Sequence, residues 1–93
     1  MKNLDNEKIA KLFKILGDKN RLQLVLGLVG KDMCVHELTY LLGVSQSLVS
    51  HQLKVLRDAD IVRTSRRGNE VVYSLADDHI VKLLEIAKEH VEE

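Results

Sequence analysis

The stretch VSQSLVSHQLKVL, residues 44–56, decides how the rest of the chain is read. On a helix, Val49, Leu53 and Leu56 recur at i, i+4 and i+7 and form one apolar stripe. The opposite side carries Ser47, Ser50, His51 and Lys54, with Gln46 at the helix start. Solvated helix faces are usually rich in Glu and Lys, whose i, i+4 pairs support the helix. Ser, Gln and His instead suit a face that must hydrogen-bond base edges in a major groove. Upstream, residues 35–42 read as a short apolar helix, and Gly43 is a natural left-handed stop. Helix, glycine turn, helix is the helix-turn-helix pattern, whose second helix enters the groove. A plain helical hairpin has the same outline, so the flanking sequence has to separate the two.

Toward the N-terminus, Asp5 is placed to cap a first helix with Ile9, Leu12, Phe13 and Leu16 on one stripe, ending near Gly17. Asp18 caps a second, with Leu22, Val25, Leu26 and Val29 inward and Gly30 as its stop; residues 31–34 then connect to the third helix. Downstream, residues 61–65 and 71–75 are short β-rich runs around Arg66-Arg67-Gly68-Asn69-Glu70, a hairpin with a basic Gly-Asn turn. A last helix spans about residues 78–91, with Ile80, Leu83, Leu84, Ala87 and Val91 on one face. The order is α-α-α-α-β-β-α, mainly helical with a small hairpin: a single winged helix-turn-helix domain over residues 1–93. A basic hairpin after the two helices separates this reading from the plain helical hairpin. Its Arg66 and Arg67 are suited to a phosphate backbone or a minor groove.

Composition narrows the class. A chain of 93 residues buries only about 60–65% of its unfolded surface. With 45% apolar residues but 3% aromatics, its core is built from Leu, Val and Ile, and such small cores are often completed by oligomerisation. There is no signal-like segment, no apolar run of membrane-spanning length and no low-complexity linker. One cysteine cannot staple a fold, so a reducing cytoplasm is expected. The formal charge is zero but uneven: residues 45–68 carry a surplus of three bases, residues 69–93 a surplus of five acids. The bases lie on the reading element and its wing, where phosphates would sit.

The runs LGDKNRLQLVLGL (16–28), GVSQSLVSHQLKVLRDADIV (43–62) and RRGNEVVYSL (66–75) resemble the ArsR/SmtB family of metal-responsive bacterial repressors. The resemblance covers nearly the whole chain. It implies a homodimer that binds operator DNA when metal-free and is no enzyme. Carried over position by position, it assigns DNA contact to Gln46, Ser47, Ser50 and His51, and to Arg66 and Arg67 in the wing.

The last helix holds two candidate ligand pairs, Asp77 with His79 and His90 with Glu93. His90 and Glu93, three apart, share a helix face. Asp77 and His79, two apart, converge only if Asp77 occupies the non-helical cap. His79 and His90 lie on nearly the same face but about 16 Å apart along the axis, at about 1.5 Å per residue. Ligand bonds are only about 2 Å long, so one chain cannot bring both pairs to one ion. Two copies of the helix packed antiparallel about a two-fold axis can, each end collecting Asp77 and His79 from one chain and His90 and Glu93 from the other. Two nitrogens and two oxygens suit tetrahedral Zn(II), with Co(II) as its mimic. Cd(II) or Pb(II) would want thiolates, and Ni(II) more ligands. Asp-x-His and His-x-x-Glu at this separation also resemble the family's zinc-sensing helix.

CVHEL (34–38) resembles the family's second metal site, but His36 stands where a second thiol is common and MKNLDNEK (1–8) has no cysteine, so a vestigial site is expected. The resulting expectation is a repressor of a zinc efflux or sequestration gene, released when zinc is in excess. Metal-ligating His usually donates its other ring N–H to a nearby acceptor, and the resemblance to the family implies a backbone carbonyl near Asp60 in that role. The closest rival is a sister repressor that senses oxidation at Cys34, its tail site inactive.

Overall fold

The computed structural model describes residues 5–93. Four of the five helices start on a capping side chain that satisfies an amide otherwise left without a partner. Asp5 accepts from Lys8 N and opens α1 (Asn6–Leu16); Asp18 accepts from Arg21 N and opens α2 (Lys19–Gly27). The chain then forms β1 (Met33–Cys34) and α3 (Val35–Leu42), which stops at Gly43 with φ 68°. Ser45 caps α4 (Gln46–Asp58) by accepting from Leu48 N. The hairpin β2 (Val62–Arg67) and β3 (Glu70–Leu75) follows, and Asp77 caps α5 (Asp78–Glu92).

The winged helix-turn-helix is therefore present, with two corrections to the strands. Residues 31–34 are not merely a connector: Met33 and Cys34 pair antiparallel with Tyr73 and Val72, so β3 is central in a three-stranded sheet ordered β1-β3-β2. The hairpin is also longer than the sequence suggests. Arg66, Arg67 and Glu70 belong to the strands, opposite Val71, Glu70 and Arg67 respectively, and only Gly68 and Asn69 turn. Gly68 has φ 64° whereas Asn69 has no positive φ, the pattern of a type II′ turn.

The core is aliphatic. Leu24 and Val25 of α2, Leu38 of α3, Val49, Leu53 and Leu56 of α4, and Ile61 are buried. The inward stripe expected for α4 is thus the observed one. The α1 and α2 stripes are rotated from expectation. On α1, Ile15 and Leu16 are buried while Phe13 is 54% exposed. On α2, Leu24, Val25 and Leu28 face the core, and Leu26 and Val29 are 51% and 41% exposed. Leu22, Leu24, Val25 and Leu26 spread over more than half of the circumference of α2, so periodicity could not single out which part of that wide arc is buried.

A polar tie locks α2 to the reading helix. Arg21 Nε donates to the Ile15 carbonyl at 2.9 Å, and its Nη1 donates to Gln52 Oε1 at 3.0 Å. Gln52 is buried on α4 between the two helices' apolar contacts.

A candidate reading face and metal centre

On α4, Gln46, Ser47, Ser50, His51 and Lys54 are all exposed, opposite buried Val49, Leu53 and Leu56. One helix therefore separates a packed side from a side rich in donors and acceptors. Ser47 Oγ lies 3.3 Å from Ser45 Oγ beside the cap, and Lys54 pairs with Asp58 at 3.1 Å in solvent. The other face residues carry no comparable Glu–Lys lattice among the described residues.

In the wing the two arginines part company. Adjacent strand residues point to opposite faces. Arg66 is exposed and forms no ion pair among the described residues. Arg67 Nη2 lies 2.7 Å from Glu37 Oε1 and 3.3 Å from Glu70 Oε2.

Asp77 occupies the non-helical cap of α5 and accepts from His79 N at 2.9 Å. His79 Nδ1 lies 3.3 Å from Asp77 Oδ1. Two ligand atoms about 2.0–2.1 Å from a tetrahedral zinc are themselves separated by about 3.3 Å. The pair therefore fits one edge of such a site. Partial desolvation opposes ionisation of Asp77, but the His79 backbone N–H and the His79 ring outweigh it and hold the carboxyl below its usual range. His90 lies on the same unbroken helix, is exposed, and Glu93 follows the last helical residue, Glu92.

The cap also connects to the reading helix. Ala76 N donates to the Ile61 carbonyl at 2.9 Å, and Ile61 N donates to the Leu56 carbonyl at 2.9 Å. Asp60, between α4 and the wing, has φ 58°, a left-handed conformation uncommon outside glycine. Two hydrogen bonds thus separate the last turn of the reading helix from the residue before Asp77.

Around Cys34 the expected cluster changes membership. Cys34, Glu37 and Glu70 bring ligand atoms within 4.8 Å of one another, and exposed His36 is not among them. Glu70 was missed because it is distant in sequence and reaches the group only through the β1–β3 pairing. The Glu37 amide favours the Cys34 thiolate, but burial and the Glu70 and Glu37 carboxylates outweigh it and push the thiol up. Glu37 is held at about 2, first by the Cys34 backbone N–H and then by the Arg67 guanidinium. Reactive cysteines sit in electropositive, partly exposed surroundings, and this thiol does not.

Beyond the two sites, α2 and α5 frame an apolar groove of about 730 Å³ lined by Leu22, Leu26, Val29, Leu84, Ala87 and Val91, among others. No helix among the described residues is long and apolar enough to cross a membrane.

Residues 18–64, from the cap of α2 into β2, match the model of the bacterial regulatory protein arsR family. This chain belongs to the arsR family. It is 39% identical over 87 residues to a transcriptional repressor SmtB homolog of Synechocystis sp., covering 94% of this chain and 66% of that protein. It is 33% identical over 92 residues to the cadmium resistance transcriptional regulatory protein CadC of Listeria innocua, covering 98% of this chain and 77% of the relative. Among solved structures, the transcriptional repressor BigR of Xylella fastidiosa superposes with a TM-score of 0.80 at 34% identity, covering 87% of this chain and 83% of the other. These relatives carry regulator or repressor names, as the matching family model does, and this chain spans about two thirds of the length of the first of them. The helix bearing Asp77, His79, His90 and Glu93 lies outside residues 18–64.

Proposed function

We propose that this arsR-family chain is a metal-responsive transcriptional repressor that works as a homodimer. Its metal-free form binds operator DNA, and Zn(II) held by the α5 helices lowers that affinity. The DNA-facing elements are α4, with Gln46, Ser47, Ser50 and His51, and the wing that bears Arg66 and Arg67. Cadmium resistance in the name of one relative supports a metal signal, and the exposed donor face of α4 supports the DNA role.

The observation that carries the metal reading is Asp77 in the cap with its carboxylate 3.3 Å from His79 Nδ1. Asp77 and His79 of one chain and His90 and Glu93 of the other would hold the ion. Bound there, zinc supplies a cross-link between two helices and fixes their relative position. The apolar groove and exposed Leu26, Val29, Ile86 and Val91 offer the seam on which a second copy packs.

The coupling follows from linkage. DNA favours the dimer geometry that spaces two reading helices correctly, and a closed metal site favours the geometry that best joins the α5 helices. If the two geometries differ, each ligand weakens the other by the same factor. The short backbone route from Asp77 through Ala76, Ile61 and Leu56 gives the α5 cap a direct mechanical hold on the end of α4. The test is operator binding titrated with Zn(II), Co(II), Ni(II) and Cd(II). Release by Zn(II), with the intense visible absorption of four-coordinate Co(II) and no sulfur charge-transfer band, is the expected result. A sulfur band that Cys34→Ser abolishes, or release by peroxide but not by zinc, would move the sensor to Cys34.

A further inference from the structure

The wing tip carries a charge cluster that a simple phosphate-contact role leaves unexplained. Arg67 Nη2 contacts Glu37 Oε1 at 2.7 Å and Glu70 Oε2 at 3.3 Å. The same Glu37 oxygen accepts from Cys34 N at 3.0 Å. One carboxylate therefore joins the end of β1, the first turn of α3 and the outer end of the wing. Two acids against one guanidinium leave the cluster net negative, a poor surface to offer to phosphates. Beyond Val72 the wing has no third strand, because β1 pairs only with Tyr73 and Val72. A bare two-stranded ribbon is marginal in water. The Glu37–Arg67 contact ties its end to the first turn of α3, beside Glu70 and Cys34.

We propose that Glu37, Arg67 and Glu70 form a clasp that aims the wing relative to the helix-turn-helix, with Arg67 a positioning residue and Arg66 the wing cation presented to DNA. This rests on the DNA-binding reading above. Exposed ion pairs add little to global stability. Aiming a ribbon needs little, because apparent affinity scales with the fraction of molecules whose wing is already aligned. The pleat makes the division of labour possible: Arg67 points to the Glu37 side of the hairpin, and Arg66 to the other.

Electrostatics and the clasp predict opposite signs for one substitution. Removing an acid beside DNA should strengthen binding if Glu37 merely repels phosphates. If Glu37 holds the wing, Glu37→Ala should weaken binding despite the lost negative charge. The full chain, kept metal-free by chelator, is titrated on a duplex that the wild type selects from a randomised pool. Glu37→Ala and Arg67→Ala should each bind about tenfold more weakly, as when an aligned fraction near one falls to about a tenth. The double variant should be no worse than either single one. Salt dependence adds a readout that a phosphate contact would move: Arg66→Ala removes one cation from each wing of the dimer and should lower the log–log slope by about 1.8, and Arg67→Ala should leave it unchanged. Glu37→Gln, which keeps an acceptor for Cys34 N–H, should fall between wild type and Glu37→Ala.

Equal or tighter binding by Glu37→Ala overturns the clasp, as does a slope lowered by Arg67→Ala or additive losses in the double variant. Amide exchange without DNA provides an independent arm. In Glu37→Ala, exchange at Arg67 and Glu70, the pair that closes the hairpin ladder, should accelerate while that of the α4 amides stays as in the wild type. Unchanged exchange at that closing pair overturns the clasp even if the wild type selects no duplex, a result that would instead remove the DNA-binding reading.

Discussion

Asp77 has two uses through one carboxylate. It caps α5 by accepting from His79 N, and it presents an oxygen beside His79 Nδ1. Asparagine caps about as well as aspartate but is a far poorer metal ligand. Asp77→Asn should therefore leave the thermal midpoint nearly unchanged while abolishing tight Zn(II) binding; isothermal titration beside a melting curve separates the two uses. Glu37 offers a pH test. Its folded value is lowered from 4.5 to about 2, so the stability it contributes is fully present above pH 4.5 and is lost as pH falls toward 2. Urea midpoints of wild type and Glu37→Gln should differ most above pH 4.5 and converge near pH 2.

Among the elements, α4 bears most of the organisation. Val49, Leu53 and Leu56 are completely buried, so Leu53→Ala should cost about 2–5 kcal/mol in chemical denaturation. Its buried polar residue, Gln52, is tied to Arg21, which also holds the Ile15 carbonyl. Hydrogen bonds to a charged group contribute about 1.5–3 kcal/mol, so Arg21→Met should lower unfolding stability by about that amount. Because the tie spans α2 and α4, the same variant should also loosen the angle at which α4 is presented. A stability loss confined to a few tenths of a kcal/mol would show that apolar packing alone sets that angle.

For the whole molecule, the exposed apolar face of α2 and α5 and the separation of the two ligand pairs point to one two-fold arrangement. A charge in the groove, as in Leu26→Lys, should shift the protein to monomer in sedimentation and remove tight zinc binding together with it. The shared site makes a sharper test. If the proposed site is shared between chains, His79→Ala and His90→Ala damage opposite halves of it, so either homodimer should lose both ions and stay on DNA at high zinc. A mixed dimer of one chain of each collects both lesions at one end and none at the other. It should bind a single zinc with near-native affinity and recover part of the zinc-driven release. Mixed dimers that bind no zinc tightly would rule out a site shared between chains.

Local patterning in the sequence was enough to specify the caps at Asp5, Asp18 and Asp77, the Gly43 stop, the inward stripe of α4 and the chain order of helices and wing. Each of these depends on residues within a turn or two of one another, where spacing alone decides which groups meet. It also carried the family and the condition under which Asp77 and His79 converge. Tertiary structure decided the rest. The strand at Met33 and Cys34 exists only because β3 returns to pair with it, and two residues have no periodicity to read. The part of α2 that is buried was chosen by its packing neighbours, since the apolar residues of α2 spread over more than half of its circumference. Arg66 and Arg67, equivalent in composition, were separated by the pleat and by Glu37, which lies thirty residues away from Arg67 in the chain and 2.7 Å away in space.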